Sequence, residues 1–397
     1  MIERIYQRVI RDHFSRNRQM LFLSGPRQAG KTTSSLTETS QGNYLNWDNE
    51  VHRAVILAGP AAVALHLGLR NMREPLPLVV FDEIHKYRHW KRFLKGFFDT
   101  YEKLVRIIVT GSARLDVYRR GGDSMMGRYF LYRLHPLSVR EFADPSFKEV
   151  DISSPIACSD FEILIEHGGF PEPFIQRNHR FTHQWRRLRL ELLFKHDIRD
   201  LTRIQDLGQM EILAQVLTHQ VGQLIDYTGL ANAVKVSSPT IQRWMTVLSS
   251  LYYCFTIQPW SKNISKSLIK QPKVYLWDWS MATHIGARNE NFIASHLLKA
   301  VQFWTDAGFG DYGLYYLRDK AKREVDFLVV KNGQPWFLVE AKNSEKGISP
   351  ALYYFQKETK ASHAFQVSLD SPFVDRDCFT YNEPMRVPAR TLLSQLV

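Results

Sequence analysis

Cysteine is scarce in this chain, with Cys158, Cys254 and Cys378 alone among 397 residues. They are too few and too scattered for a disulfide framework or a zinc site. Long apolar runs are missing as well. No window of eighteen apolar residues occurs, so neither a membrane span nor a membrane partner is expected. The start, Met1-Ile2-Glu3-Arg4, is charged and no apolar stretch follows it; a signal peptide does not look like this. A cytoplasmic location is the default that remains. Hydrophobic residues are not lacking: at 44% they exclude a disordered chain. The length allows two or three domains with full cores. Acidic residues are outnumbered, leaving a net charge of +12 and a pI of about 9.5. That balance favours an anionic partner, nucleic acid in the first place. A mildly basic soluble protein is the alternative, and charge alone does not decide.

The densest chemical signal is Gly25-Pro26-Arg27-Gln28-Ala29-Gly30-Lys31-Thr32-Thr33. It matches G-x-x-x-x-G-K-[ST], follows the apolar run Met20-Leu21-Phe22-Leu23, and opens onto a helix expected over 32–36. Without side chains at Gly25 and Gly30, the backbone can curl around a phosphate with its N–H groups inward. Lys31 then reaches the β- and γ-phosphates of ATP or GTP, and the Thr32 hydroxyl can ligate Mg²⁺. A matching acid stands in Leu78-Val79-Val80-Phe81-Asp82-Glu83. Four apolar residues in a row read as a buried parallel strand, with two carboxylates at its end. Asp82 suits the Mg²⁺ shell and Glu83 suits the attacking water; alternatively the pair caps the next helix. A third strand, Arg106 to Thr110, ends in Gly111-Ser112-Ala113-Arg114. Thr110 and Ser112 are candidates to sense the nucleotide, against an ordinary strand-to-loop turn. Arg114 and Arg128 are candidates to stabilise transition-state charge, although most surface arginines are simply solvated.

Strands near 20–24, 43–47, 77–82, 106–110 and 129–134 alternate with helical segments, one of them near 91–104. That alternation predicts a parallel sheet with helices on both faces, an α/β P-loop domain over 1–155. A helical and winged-helix region is expected over 156–262. Within it Arg177, Arg180, Arg186, Arg187, Arg189, Lys195, Arg199 and Arg203 give one stretch a positive face, for DNA or for water. Residues 226–255 read as a helix-turn-helix, with Ser238 as N-cap, Pro239 at the first helical position, and Thr240, Gln242 and Arg243 presented at the start of the second helix. Tyr252 to Ile257 would be a wing strand, followed by Lys262, Lys266, Lys270 and Lys273. A packing unit beside the ATPase is the equal alternative.

The last part, 263–397, returns to α/β signals. Tyr275 to Asp278 is a short strand and Asn291 to Phe303 a helix. Then come Glu324-Val325-Asp326-Phe327-Leu328-Val329-Val330, a turn at Asn332-Gly333, and Trp336-Phe337-Leu338-Val339-Glu340-Ala341-Lys342. This is D…E-x-K. Asp326 and Glu340 can share a divalent ion, and Lys342 can orient or deprotonate water. Strand parity sets a condition. A two-residue turn at Asn332-Gly333 pairs Asp326 with Val339 and puts Glu340 on the wrong face; a wider loop pairs Asp326 with Glu340. Pro335, which donates no ladder hydrogen bond, favours the wider loop. Glu290, just before the helix, could add a carboxylate. Structural ion pairs on a solvent face are the competing reading.

These motifs, together with Leu134 to Phe142, Gly168-Gly169-Phe170-Pro171-Glu172-Pro173 and Asn289-Glu290-Asn291-Phe292, resemble those of prokaryotic AAA-type ATPases that carry an appended C-terminal domain of unknown function. The resemblance covers nearly the whole chain. It implies ATP with Mg²⁺ as cofactors and a helical, winged-helix segment after the ATPase. It further implies a terminal domain similar to restriction-endonuclease-like nucleases, with Glu290, Asp326, Glu340 and Lys342 on the positions of that fold's metal site. An ATPase acting on or with DNA follows as the first expectation. A nucleotide-gated regulatory or scaffold protein, using its C-terminal domains for protein contacts, is the second. A homo-oligomer, the DNA structure bound and the activity of the terminal site are left open.

Overall fold

In the computed structural model, which describes residues 2–39, 43–71, 73–111, 125–143, 149–151, 155–198, 206–261, 271–342 and 347–397, the chain is mixed α/β and forms two compact units. These are Met1–His135 and Pro136–Val397. The first unit ends at His135, ahead of the border expected at 155.

The first unit contains, in chain order, α1 (Ile5–Arg16), β1 (Met20–Ser24), α2 (Lys31–Leu36), β2 (Tyr44–Asn46), α3 (Glu50–Leu57), α4 (Pro60–His66), β3 (Leu78–Asp82), α5 (Trp90–Tyr101), β4 (Arg106–Gly111) and β5 (Tyr129–Arg133). Its five strands are all parallel, in the order β2-β3-β4-β1-β5. The strands read as apolar runs because both faces are covered. On one face Phe22 stacks on Tyr129, and Trp90, Phe93 and Phe97 of α5 meet Phe22 and Phe81. On the other, His13 of α1 meets Phe130 and Tyr132. Alternation along β5 separates the two sets. Insertion of β4 between β1 and β3 brings three C-terminal strand ends together, those carrying Gly25, Asp82 and Thr110. Open parallel sheets place their sites at that edge.

The second unit begins with helices: α6 (Val139–Ala143), α7 (Cys158–His167), α8 (Pro171–Gln176), α9 (His179–Leu192), α10 (Leu207–His219), α11 (Tyr227–Val234) and α12 (Ser238–Ser250). It continues with β6 (Cys254–Pro259), β7 (Lys273–Leu276), α13 (Ile285–Asp306), β8 (Tyr312–Arg318), β9 (Glu324–Lys331), β10 (Gln334–Ala341), α14 (Pro350–Thr359), β11 (His363–Ser368) and β12 (Met385–Pro388). Seven strands form one sheet in the order β12-β11-β10-β9-β8-β6-β7. The helix-turn-helix stands where expected, with one correction at its cap. Ser237, not Ser238, is the N-cap of α12: its hydroxyl accepts from the Thr240 N–H at 3.3 Å. The wing is more altered. β6 and β7 pair antiparallel, but β6 also pairs with β8. The expected border at 262 thus runs through a hairpin that belongs to the C-terminal sheet. Lys262, Lys266, Lys270, Arg199 and Arg203 lie outside the described residues.

Candidate functional site

Three strand ends and one helix build the first site. Gly25 leaves β1 at φ +151°, and a Cβ there would stand 2.2 Å from the Leu134 carbonyl oxygen. Only glycine fits. Gln28 (φ +61°) and Gly30 (φ +98°) are left-handed and complete the curl that delivers the chain into α2. Lys31 is buried, and its Nζ donates to the carbonyls of Gly25 (2.9 Å) and Pro26 (2.7 Å). Ala29 is buried, while Gln28 and Thr33 are exposed. The brace of this loop has no counterpart in the motif. Arg4, buried before α1, donates to the Ala29 carbonyl at 2.7 Å and to the His135 carbonyl at 2.6 Å. Sequence reading passes over it, because the bonds join residues far apart in the chain.

Asp82 is where the elements converge. Its Oδ2 accepts from Thr32 Oγ1 at 3.0 Å and from the Tyr44 hydroxyl at 2.6 Å. Its Oδ1 accepts from Thr110 Oγ1. The Thr32–Asp82 pair is an all-oxygen set of the kind Mg²⁺ selects, so these residues fit the ion expected with a nucleotide. Burial first, then Asp82, raises the Tyr44 hydroxyl far above its usual range and keeps it a donor. No sequence signal points to Tyr44, because it lies on the edge strand outside both motifs.

Glu83 follows in a left-handed conformation (φ +55°), with its N–H donating to the Thr110 carbonyl at 3.1 Å. A non-glycine residue held there carries strain of the kind found at functional sites. Its buried Oε2 makes no hydrogen bond among the described residues and lies 3.4 Å from Lys86 Nζ and 3.6 Å from His85 Nε2. Burial raises the Glu83 carboxyl above its ordinary value, as does Asp82, while Lys86, Lys31 and Arg27 pull it down. The alternative reading of Asp82-Glu83 as a helix cap fails, since Glu83 makes no side-chain cap bond to the 3₁₀ turn that follows.

Of the two expected arginines, Arg128 does not join this site. Arg128 stands at the other end of the sheet: its carbonyl accepts from the Met20 N–H at the start of β1, and its guanidinium holds Asp99 in a bidentate pair at 2.7 and 2.9 Å. Within one chain, β1 separates it from the phosphate loop. Ser112 and Arg114 lie outside the described residues.

The second site lies in the C-terminal sheet. Asn332 and Gly333 form a two-residue turn with both φ positive (+50° and +77°), so Lys331 faces Gln334. The wider loop expected from Pro335 is absent. A bulge between Pro335 and Phe337 shifts the register instead, pairing Leu338 with Leu328 and Val339 with Phe327. One further step puts Glu340 opposite Asp326, the juxtaposition that the wider loop was to provide. The Ala341 N–H donates to Asp326 Oδ2 at 3.0 Å. Glu290 sits inside α13, not before it, because the helix starts at Ile285.

The ammonium at the centre is not Lys342. That residue is exposed and touches Glu340 at 3.7 Å. Lys273 of β7, buried, places its Nζ 2.6 Å from Glu324 Oε1 and 3.4 Å from both Glu290 Oε1 and Asp326 Oδ1. The Tyr275 hydroxyl donates to Glu290 Oε1 at 2.7 Å. Burial first, and Asp326 next, push Glu290 up to about 7; Lys273 and Tyr275 pull it down. Burial also raises Asp326 and Glu340. Lys273 leaves the basic run expected after the wing for the interior of the sheet. The lysine is legible in the sequence, but its three partners come from two other elements.

Among the positive residues of α9 the structure makes a division. Arg180 and Arg187 are exposed, as is Lys195 in the π-helical turn after α9. Arg177 is exposed and paired with Asp160 at 2.6 Å. Arg186 is half-buried, with its guanidinium donating to the Glu166 carbonyl at 3.3 Å. Arg189 turns inward: it lies 3.9 Å over the Phe170 ring and 3.8 Å from Asp278. It is a packing residue, not part of a positive surface.

With this geometry in place, comparison with known proteins divides the chain in three. Residues 17–143 match the family described as AAA domain, residues 158–291 match a domain of unknown function (DUF8612), and residues 285–372 match another (DUF4143). The first unit is therefore an AAA-type P-loop ATPase domain, and the protein binds nucleotide. The chain is 25% identical over 341 residues to an uncharacterized protein of Mycobacterium tuberculosis, covering 84% of this chain and 72% of that one. It is 23% identical over 228 residues to an uncharacterized protein of Methanocaldococcus jannaschii, covering 51% and 47%. Among solved structures, it is similar to the Aeropyrum pernix ORC1 protein in complex with DNA (12% identity, TM-score 0.30, 73% of this chain and 91% of that one). It is also similar to a Signal Transduction ATPase with Numerous Domains from Pyrococcus horikoshii (10% identity, TM-score 0.25, 76% and 47%). Among the described residues no helix is long and apolar enough to cross a membrane.

Proposed function

We propose that this protein hydrolyses ATP with Mg²⁺ and binds DNA, and that its C-terminal domain is a nuclease-like fold used for binding. The observation that carries the first part is the convergence of Thr32, Tyr44 and Thr110 on Asp82. Lys31 and the loop N–H groups hold the phosphates, and Thr32 and Asp82 hold Mg²⁺, which neutralises phosphate charge when bound. Glu83 accepts a hydrogen bond from the attacking water and turns it toward the γ-phosphate; its burial and raised pKa suit that role.

DNA binding rests on the net charge of +12 and on exposed groups. Arg180, Arg187 and Lys195 lie along one helical stretch, and Gln242, Arg243 and Thr246 are exposed on the second helix of the helix-turn-helix. These are residue types that meet phosphates and base edges.

For the C-terminal domain, the position of Lys273 favours docking over cleavage. Asp326, Glu340, Glu290 and Lys342 are the residues a metal-dependent nuclease would use, with Asp326 and Glu340 as ligands. The Lys273 ammonium already neutralises Asp326 and Glu290, so a divalent ion would have to displace it against three carboxylate contacts.

One observation favours a regulatory or scaffold ATPase instead. β6 is hydrogen-bonded on both edges, to β7 and to β8, so the wing is part of the sheet and not a free ribbon for a groove.

One experiment separates these readings. Purified protein is incubated with plasmid and oligonucleotide DNA, Mg²⁺ or Mn²⁺, with and without ATP, while phosphate release, DNA retention and DNA length are followed. Hydrolysis with salt-dependent retention of intact DNA is the expected result. Hydrolysis without retention at low salt would favour the scaffold reading, and shortened DNA would show a live terminal site.

A further inference from the structure

The end of α7 and the start of α9 bring together three side chains that neither proposed site uses. Glu166 and His167 are the last residues of α7, and His179 is the first of α9. One ligand atom from each lies within 4.8 Å of the other two, the one His/Cys/Asp/Glu group so arranged among the described residues. His179 Nε2 stands 3.4 Å from Glu166 Oε1, and His167 Nε2 stands 3.8 Å from Glu166 Oε2. The two imidazole centroids are 4.9 Å apart. Both rings thus aim the same nitrogen at one carboxylate.

The spacing separates two explanations. A hydrogen bond from an imidazole N–H to a carboxylate is about 2.8 Å. Two ligands of a tetrahedral ion with bonds of about 2.0–2.1 Å lie about 3.3 Å apart. The 3.4 Å separation matches the second; the 3.8 Å one runs to the other carboxylate oxygen and is too long for a hydrogen bond, so a small turn of the carboxylate closes the set on one ion. The inner histidine is also set up as a ligand. His167 is buried, and its Nδ1 is 2.7 Å from the hydroxyl of buried Thr182, one turn along α9 from His179. With Nδ1–H donated to Thr182 Oγ1, the Nε2 lone pair is left facing Glu166 and His179. Metal-bound histidines characteristically have such a partner on the second nitrogen.

We propose that Glu166, His167 and His179 bind a divalent ion of the zinc class, with the solvent side supplying the fourth ligand. Two imidazoles and one carboxylate suit zinc or cobalt over Mg²⁺, which prefers oxygen alone. Scarce cysteine argues against a zinc site built on thiolates; this donor set contains none. The ion would clip the end of α7 to the start of α9 across residues 168–178, next to the arginines proposed for DNA. The site stands whether or not those arginines touch DNA.

The test uses the full chain, stripped with a chelator and titrated with Co²⁺, whose visible bands report a nitrogen-containing tetrahedral site. One equivalent displaced by Zn²⁺ is expected. His179→Ala and Glu166→Gln, both changes at exposed side chains, should each weaken that equivalent at least tenfold while circular dichroism stays unchanged. Zn²⁺ should raise the melting temperature of the wild type and not of His179→Ala. Absence of tetrahedral bands in the wild type, or equal affinity in both variants, would overturn the assignment.

Discussion

Lys273 Nζ lies 2.6 Å from Glu324 Oε1, and this ion pair joins β7, the last strand of the seven-stranded sheet, to β9 near its middle. The same ammonium reaches Glu290 and Asp326. Removing it leaves half-buried Glu290 and Asp326 without their cation, while Glu324 keeps Arg318 at 3.0 Å. Lys273→Met should cost about 3–5 kcal/mol of stability, the scale for breaking a buried pair. Mn²⁺ should recover part of that loss in the variant and leave the wild type unchanged in thermal melts. A wild-type melting temperature in Lys273→Met would show that the carboxylates do not need it.

The pH dependence of this cluster has a definite sign. Glu290 is pushed up to about 7 from 4.5, so between those values the folded chain binds more protons than the unfolded one. Its contribution to stability is complete below about pH 4.5 and is lost as pH rises through about 7. Melting at about pH 5 and about pH 8 should therefore show a smaller fall for Glu290→Gln than for the wild type. Equal falls would remove Glu290 as a source of the slope.

At the phosphate loop, Lys31→Ala should weaken ATP binding at least about tenfold, since a charge-assisted hydrogen bond contributes about 1.5–3 kcal/mol. Glu83→Gln should bind ATP normally and hydrolyse it about 10²–10⁴ times more slowly. Calorimetry with ATP, beside phosphate release, distinguishes the two. Normal turnover in Glu83→Gln would take that residue out of the reaction.

Arg4→Ala tests the brace on the loop. It removes donors to the Ala29 and His135 carbonyls. Weaker ATP binding together with a lower melting temperature is expected. A lower melting temperature with unchanged ATP affinity would mean that Arg4 supports the fold and not the loop.

For DNA, the variant of choice combines Arg180, Arg187 and Lys195, each changed to Gln. Affinity should drop on all sequences alike, and the salt slope should flatten by about 0.9 for each phosphate that is no longer neutralised. Arg189→Gln should destabilise the protein instead, because that guanidinium lies on Phe170. An unchanged slope in the triple variant would mean that these residues face only water.

What the sequence determined by itself was the local chemistry. The parallel sheet was legible because strands covered on both faces read as apolar runs, and the phosphate loop because Gly25, Gly30, Lys31 and Thr32 are adjacent in the chain. Asp82, Glu83 and Thr110 were legible because strand ends carry sites. Tertiary structure decided everything that depends on long-range pairing. Arg128 looked like a site residue until the sheet placed it at the opposite strand end. A two-residue turn seemed to forbid the Asp326–Glu340 pairing until a bulge, invisible in residue spacing, restored it. Arg189 and Arg187 are two residues apart and share a charge, yet one is half-buried against Phe170 and the other exposed, because residues two apart on a helix face nearly opposite directions. Lys273, Tyr44 and Arg4 carry no motif. Their roles come from partners on other elements, and only folding brings those partners within a hydrogen bond's reach.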